Sequence, residues 1–128
     1  MQSSMSLELY TMTIETWGVR VVNAPGHVLT PQNIMPKWQI MIDKCLETGK
    51  KRLLVESSGF ILELDVPHLY ELIDFMVAKG FQGGKIAFVL PGWKGTPESE
   101  LLQTIAFNRG IYSLIFKKSD SAIAWLRE

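Results

Sequence analysis

The sequence predicts an α/β fold, with a single mixed, mostly parallel sheet whose elements follow the order β-β-α-β-α-β-α-β-α. Two observations carry this prediction. Short apolar runs typical of buried strands alternate with longer segments in which apolar residues recur at helical spacing. Three of these helical segments also begin on a polar residue with a proline one or two positions later, at Thr30, Asp65 and Thr96. Strands separated by helices need crossover connections, so we expect them to be parallel.

Length and composition favour one domain over residues 1–128. A chain of 128 residues with 47% hydrophobic and 20% charged residues can bury its own core, which argues against disorder and against a coiled coil. Thirteen basic residues balance thirteen acidic ones, so the basic excess typical of a nucleic-acid-binding protein is missing. Lys50–Arg52 is the longest basic run, and we interpret it as a solvated corner between a helix and a strand.

The first two strands, Leu7–Ile14 and Val19–Val22, are close enough in sequence to form an antiparallel hairpin around the turn at Trp17 and Gly18. A helix is expected from Pro31 to the stop at Gly49. Pro36 lies inside it and should kink the helix or separate a short first turn from the rest.

The other elements follow by the same pattern. The sequence predicts, in order, a strand at Lys51–Glu56, a helix from Asp65 to Lys79, a strand at Lys85–Leu90, a helix from Thr96 to Gly110, a strand at Ile111–Phe116, and a last helix at Ala122–Arg127 capped by Ser119 or Asp120.

Residue types that commonly hold metals are sparse and scattered. Cys45 is the only cysteine and lies on the apolar face of the first helix, so we expect an inert core thiol and no disulfide. His27 and His68 have no partner at ligand spacing, and neither a metal nor a cofactor is predicted. The aromatic residues Trp38, Phe107 and Trp125 are interpreted as core or core-edge residues. Neither a signal peptide nor a membrane span is recognisable, which favours the cytoplasm.

Ligands of open α/β sheets bind outside the carboxyl ends of the strands, which directs attention to three loops. The loop after the third strand carries Ser57, Ser58, Glu63 and Asp65. Two carboxylates there would suit acid–base chemistry or a hard cation, but a helix cap explains Asp65 better.

The loop after the fourth strand carries Trp93 and Lys94 between two glycines. This pair suits an anion or a partner surface, with simple coverage of the sheet edge by Trp93 as an equal alternative. The third loop, Asn23–Leu29, follows the second strand.

Two segments, Lys51–Phe60 and Phe116–Leu126, resemble the STAS / SpoIIAA-like superfamily of anti-sigma-factor antagonists, and the resemblance extends from about Leu7 to Leu126. It implies the family fold and a regulatory role. In regulatory members of the family, a phosphorylatable serine opens the helix after the third strand. The matching stretch here, Glu63–Pro67, has no serine, and Asp65 falls at or near the switch position.

The sequence therefore predicts a non-enzymatic, STAS-like regulatory or protein-interaction module that lacks the phosphorylatable serine. Its docking face would be the acidic segment Ser57–Asp74, which contains no lysine or arginine and has Glu63 and Asp65 at its centre. The alternative is a small-ligand or lipid-binding domain that uses a pocket between the Asn23–Leu29 and Pro91–Thr96 loops. A protein partner is expected, and a homodimer is left open. An enzyme ranks third, because no nucleophile is paired with a base.

Overall fold

The computed structural model describes residues 5–6, 10–24, 28–29, 31–57, 61–62, 66–92 and 97–128. The strands are β1 (Met5–Ser6), β2 (Tyr10–Ile14), β3 (Val19–Asn23), β4 (Val28–Leu29), β5 (Arg52–Glu56), β6 (Ile61–Leu62), β7 (Lys85–Val89) and β8 (Tyr112–Phe116). The helices are α1 (Pro31–Thr48), α2 (Val66–Ala78), α3 (Pro97–Asn108) and α4 (Ser119–Leu126). The α/β class is confirmed, and the predicted long strands and helices are present within a few residues of their expected bounds.

The main sheet has six strands in the order β1-β2-β3-β5-β7-β8. β2 and β3 form the predicted antiparallel hairpin, and β1 extends it with a second antiparallel pairing. The pairings of β3 with β5, β5 with β7 and β7 with β8 are parallel, so the sheet is mixed. The short strands β4 and β6 were not predicted, and they pair in parallel as a separate two-stranded sheet.

The two faces of the main sheet have separate cores, because successive side chains of a strand point to opposite faces. Val21 of β3 and Val55 of β5 belong to the larger core, to which α1, α2 and α3 all contribute buried residues. Leu54 and Ala87 belong to the smaller core, where Ala122 and Leu126 of α4 pack. Among the described elements, three helices therefore cover one face and α4 covers the other.

Pro36 lies inside α1, which is assigned as one uninterrupted helix from Pro31 to Thr48. The alternative of a separate first turn is therefore wrong. Pro36 is exposed, whereas Ile34 before it and Trp38 after it are both buried in the larger core. Packing of the apolar stripe on both sides of the proline holds the segment together although one backbone N–H is missing.

The start of α4 differs from the prediction in position and in capping. The helix begins at Ser119 rather than Ala122, and its N-cap is Lys118, which makes no side-chain capping bond. The Ser119 hydroxyl instead donates a hydrogen bond to Oε1 of Glu56, at the end of β5. Asp120 lies in the first turn, where a negative charge is favourable to the helix dipole.

Two further interpretations of single residues have definite outcomes. Cys45 is fully buried, so its predicted core position is confirmed, and burial raises the pKa of its thiol to about 12, which disfavours the reactive thiolate. Trp38 is a core residue, in line with the expectation of a core or core-edge position, but Phe107 is 64% exposed and this expectation was wrong for it. Phe107 meets the ring of Tyr112 edge to face at the outer strand β8, where less of the fold is available to cover it.

The basic run Lys50–Arg52 is only partly a solvated corner. Nε of Arg52 donates a hydrogen bond to the carbonyl oxygen of Leu126 at 3.0 Å, so the guanidinium provides a donor for a carbonyl group in the last turn of α4. Nζ of Lys85 donates to the carbonyl of Trp125 at 3.1 Å. Cations at the carboxyl end of a helix stabilise its last turn, which gives Arg52 and Lys85 a structural role.

Candidate functional site

Of the six residues singled out by sequence, Ser57 is the one that the structure describes. Ser58, Glu63, Asp65, Trp93 and Lys94 lie outside the described residues. The paired carboxylates, the Asp65 cap and the exposed Trp93–Lys94 pair therefore remain predictions. Ser57 is buried, and it leads to a group of residues that the sequence reasoning did not bring together.

Ser57 and Asn23 lie side by side at the carboxyl edge of the sheet. Asn23 is the last residue of β3, Ser57 directly follows β5, and these strands are parallel neighbours. Nδ2 of Asn23 donates a hydrogen bond to Oγ of Ser57 at 2.7 Å. The backbone N–H of Ser57 donates to the carbonyl of Val89 on β7 at 3.0 Å, which fixes the serine between the two neighbouring strands.

Lys37 reaches the same place from α1. Its Nζ donates a hydrogen bond to Oδ1 of Asn23 and lies 4.8 Å from the centre of the Tyr10 ring, within the range of a cation–π interaction. Asn23 points to the face that carries Val21, two residues earlier in β3, and α1 packs on that face. α1 therefore places Lys37 in contact with Asn23, the last residue of β3.

Asn23, Lys37 and Ser57 form what we call the carboxyl-edge network. Within the part of the chain whose side chains are described, these three are the buried polar or charged residues, at 4%, 6% and 7% exposure. Burying polar groups costs free energy unless they bond to one another, and lysine is seldom so deeply buried. Their concentration at the sheet edge where α/β proteins bind ligands marks a candidate binding site.

The charge of the network is positive. Burial lowers the pKa of Lys37 from 10.5 to about 8, so the amine is still mostly protonated at neutral pH. Among the described residues, no carboxylate lies within ion-pair distance of Nζ. Burial also raises the pKa of the Tyr10 phenol, which stays neutral. The network thus holds a buried cation whose described neighbours are neutral.

The hydrogen bonds of the network all run in one direction. Lys37 donates to Asn23, and Asn23 donates to Ser57. Among the described residues, the Ser57 hydroxyl accepts a hydrogen bond and its own hydrogen has no acceptor, and the ammonium of Lys37 has more than one N–H. Because the unused capacity consists of donors and one positive charge, the arrangement is suited to an acceptor such as a carboxylate or phosphate oxygen.

The segments that follow Asn23 and Ser57 pair with each other a few residues further along the chain. β4 begins five residues after Asn23, β6 begins four residues after Ser57, and these two short strands pair in parallel. Strand order also bears on the predicted pocket between the loops that follow β3 and β7. β5 separates these two strands in the sheet, and most residues of the two loops lie outside the described residues, so the pocket remains a prediction.

Part of the negative charge of the acidic segment Ser57–Asp74 is neutralised by a cation from another part of the chain. Asp74 of α2 forms an ion pair with Arg109 at 2.8 Å, and the guanidinium of Arg109 also lies 5.3 Å from the centre of the Tyr70 ring. Arg109 follows α3, which is why a scan along the sequence does not place it beside α2. Glu71 and Tyr70 are exposed on the same helix.

The described residues contain no group of three or more histidine, cysteine or acidic side chains that is placed to hold a metal ion. Within the same described ranges, no helix has the length and apolar character needed to cross a membrane. Comparison with known protein families, with characterised proteins and with solved structures finds no significant match to this chain. The site itself is therefore the basis for a functional argument.

Proposed function

We propose that this α/β domain is a small-ligand-binding module, and that its carboxyl-edge network of Asn23, Lys37 and Ser57 recognises the carboxylate or phosphate of an anionic ligand. The observation that carries the proposal is the one-way chain of hydrogen bonds from Lys37 through Asn23 to Ser57. A chain of this kind polarises each successive bond, so the Ser57 hydroxyl becomes a stronger donor to an outside acceptor.

The role of each residue follows from its contacts. Lys37 supplies positive charge in a poorly solvated place, where attraction to an anion is stronger than at the surface. Asn23 holds both partners, with its carbonyl on Lys37 and its amide on Ser57. Ser57 is the donor that contacts the ligand. This assignment takes up the small-ligand alternative raised by the sequence, with a site at β3 and β5.

The proposal keeps the domain within the STAS / SpoIIAA-like superfamily, with that family's strand arrangement and a cytoplasmic location. Support for this part comes from the resemblance of the Lys51–Phe60 and Phe116–Leu126 segments. Ser57 lies in the first of these segments, so the proposed ligand site belongs to the part of the chain that carries the resemblance.

The test is a titration followed by ¹H–¹⁵N NMR with four probes: acetate, succinate, inorganic phosphate and glycerol 3-phosphate. We expect at least one probe to give saturable shifts of the Asn23 side-chain amide and the Ser57 backbone amide. Ser57→Ala and Lys37→Met should remove the saturable shifts. Lys44→Met is the matched control, because Lys44 lies on the same helix and pairs with Glu47 at the surface. Equal shifts in Lys37→Met, or no saturable shift with any probe, would contradict the proposal.

A regulatory module that binds a protein through α2 is a second candidate. It is favoured by the exposed ring of Tyr70 and the exposed carboxylate of Glu71 on the outer side of that helix. Any protein found to bind the domain should lose affinity for Tyr70→Ala and Glu71→Lys, with Glu47→Lys on α1 as the control. Affinity that is unchanged in both α2 variants would contradict this second function.

A further inference from the structure

The amine of Lys37 belongs to a side chain that is more deeply buried than those of the other described lysines. Lys44 and Lys79 form surface ion pairs, with Glu47 at 2.9 Å and with Asp43 at 3.2 Å. The Lys37 side chain is buried instead, with an amide oxygen and an aromatic ring as its described neighbours. A carboxylate partner holds a lysine as ammonium, and such a partner is missing among the described neighbours of Lys37.

An amine can attack a carbon atom only through the lone pair of its unprotonated form. Burial without a counter-ion favours that form, and the pKa of Lys37 falls to about 8. In the free protein, a larger fraction of this amine is therefore neutral at pH 7.5 than of an ordinary lysine. The hydrogen bond to Asn23 also fixes the position of Nζ at the same edge of the sheet as Ser57.

We propose that Lys37 forms a covalent imine with a carbonyl compound that carries an anionic group, of which a small oxo acid is the simplest example. This inference rests on the proposed function, because the Ser57 donor would hold the anionic group while Lys37 attacks the carbonyl carbon. The bound anion favours the ammonium form of Lys37, so the rate gain comes from holding the carbonyl carbon next to Nζ. Nζ adds to the carbon to give a carbinolamine. The carbonyl oxygen then leaves as water together with the two amine hydrogens, and the C=N bond forms without any oxidant or reductant.

The test uses glyoxylate as the anionic aldehyde, propionaldehyde as an uncharged aldehyde, and sodium cyanoborohydride, whose hydride reduces any imine to a stable secondary amine. The full chain is treated at pH 7.5 and the modified lysines are located by peptide mass spectrometry. We expect glyoxylate to modify Lys37 at least tenfold faster than Lys44 in the same molecule. Lys37→Arg should remove this fast modification, and unfolding in urea should abolish the preference between the two lysines.

Ser57→Ala tests the anionic requirement without altering the nucleophile. It should slow the modification of Lys37 by glyoxylate by a larger factor than the modification of Lys37 by propionaldehyde. Modification of Lys37 no faster than Lys44, or an equal effect of Ser57→Ala on both aldehydes, would overturn the inference. Saturable anion binding that depends on Lys37 and Ser57 but gives no fast modification would overturn the imine alone. The absence of both would remove the proposed function as well.

Discussion

Nδ2 of Asn23 lies 2.7 Å from Oγ of Ser57, so a hydrogen bond between two side chains joins the carboxyl ends of β3 and β5. Both side chains are buried, and the oxygen of Asn23 is engaged by Lys37 from α1. One asparagine thus connects two strands and a helix at a single point. This connection has consequences for stability that are measurable without knowledge of the ligand.

Replacing Ser57 with alanine should lower the free energy of unfolding by about 1–2 kcal/mol, because the buried amide of Asn23 loses its acceptor. Urea unfolding monitored by circular dichroism measures the difference. Ser121→Ala, at an exposed position of α4, is the control and should change stability by less than about 0.5 kcal/mol. Equal stabilities of the two variants would show that the Asn23–Ser57 bond contributes little.

Lys37 should make the stability of the protein depend on pH between about 8 and 10.5. Its pKa is about 8 in the folded chain and 10.5 when unperturbed, so in this window the unfolded state binds more protons. The contribution of Lys37 to the free energy of unfolding therefore rises as the pH rises through the window. Below about pH 8 the amine is charged in both states, so the full free-energy cost of burying the charge is present. Lys37→Met should raise the stability at pH 7 by about 1–3 kcal/mol and remove this rise.

The measurement is the difference in unfolding free energy between the wild type and Lys37→Met, taken at several pH values from 7 to 10.5. Cys45 and Tyr10 have raised pKa values and contribute slopes of the opposite sign, but both are present in the two proteins and cancel. A constant difference between wild type and Lys37→Met across this range would contradict the buried amine.

The opposite face of the sheet offers an independent test at Glu56. Its Oε1 accepts hydrogen bonds from Arg20, at 2.7 Å, and from Ser119 at the start of α4. Glu56→Gln should cost about 1–2 kcal/mol, since the pair is partly buried and the loss leaves Arg20 without its carboxylate. A double-mutant cycle with Ser119→Ala should give a coupling energy of at least about 0.5 kcal/mol. A coupling energy near zero would mean that Ser119 does not help to hold α4 to β5.

Gly18 should be the least replaceable described glycine. A Cβ atom at this position would lie 2.2 Å from the carbonyl oxygen of Arg52, an atom of the neighbouring strand that cannot move away freely. Gly18→Ala should therefore lower the unfolding free energy by more than about 2 kcal/mol. Gly92→Ala is the matched control, because a Cβ there meets nothing within 4 Å. Similar thermal midpoints for the two variants would contradict the close approach at Gly18.

Hydrophobic periodicity predicted most of the fold because the main elements are long enough to show it. α1, for example, buries Ile34, Trp38, Met41 and Ile42 at helical spacing. The two-residue strands β4 and β6 have no measurable period, and their pairing depends on where the chain returns after β3 and β5. The effect of Pro36 on α1 was overstated in the prediction from the sequence. Helix propensity reflects the backbone N–H that proline lacks, but it does not include the packing of the residues on both sides of the proline.

One feature of the sequence indicates the carboxyl-edge network, although the predictions from the sequence did not include it. Lys37 comes three residues after Ile34 and four before Met41, so it lies on the apolar stripe of α1, where a lysine is unexpected. Its bond to Asn23 depends on how α1 packs against β3, which spacing along the chain does not specify. Arg109 is a similar case, since its contact with Asp74 depends on the packing of α3 beside α2.

The most direct test of the carboxyl-edge network is the pKa of Lys37 itself, measured by NMR of protein labelled with ¹³C at lysine Cε. The structure predicts one lysine that titrates near 8, assigned by its loss in Lys37→Met. With a saturating concentration of the anionic probe that shifts Ser57, the pKa of Lys37 should rise by at least one unit, because an anion stabilises the ammonium. A pKa of Lys37 near its ordinary value of 10.5, or a pKa that the bound anion leaves unchanged, would contradict the assignment of this network as the binding site.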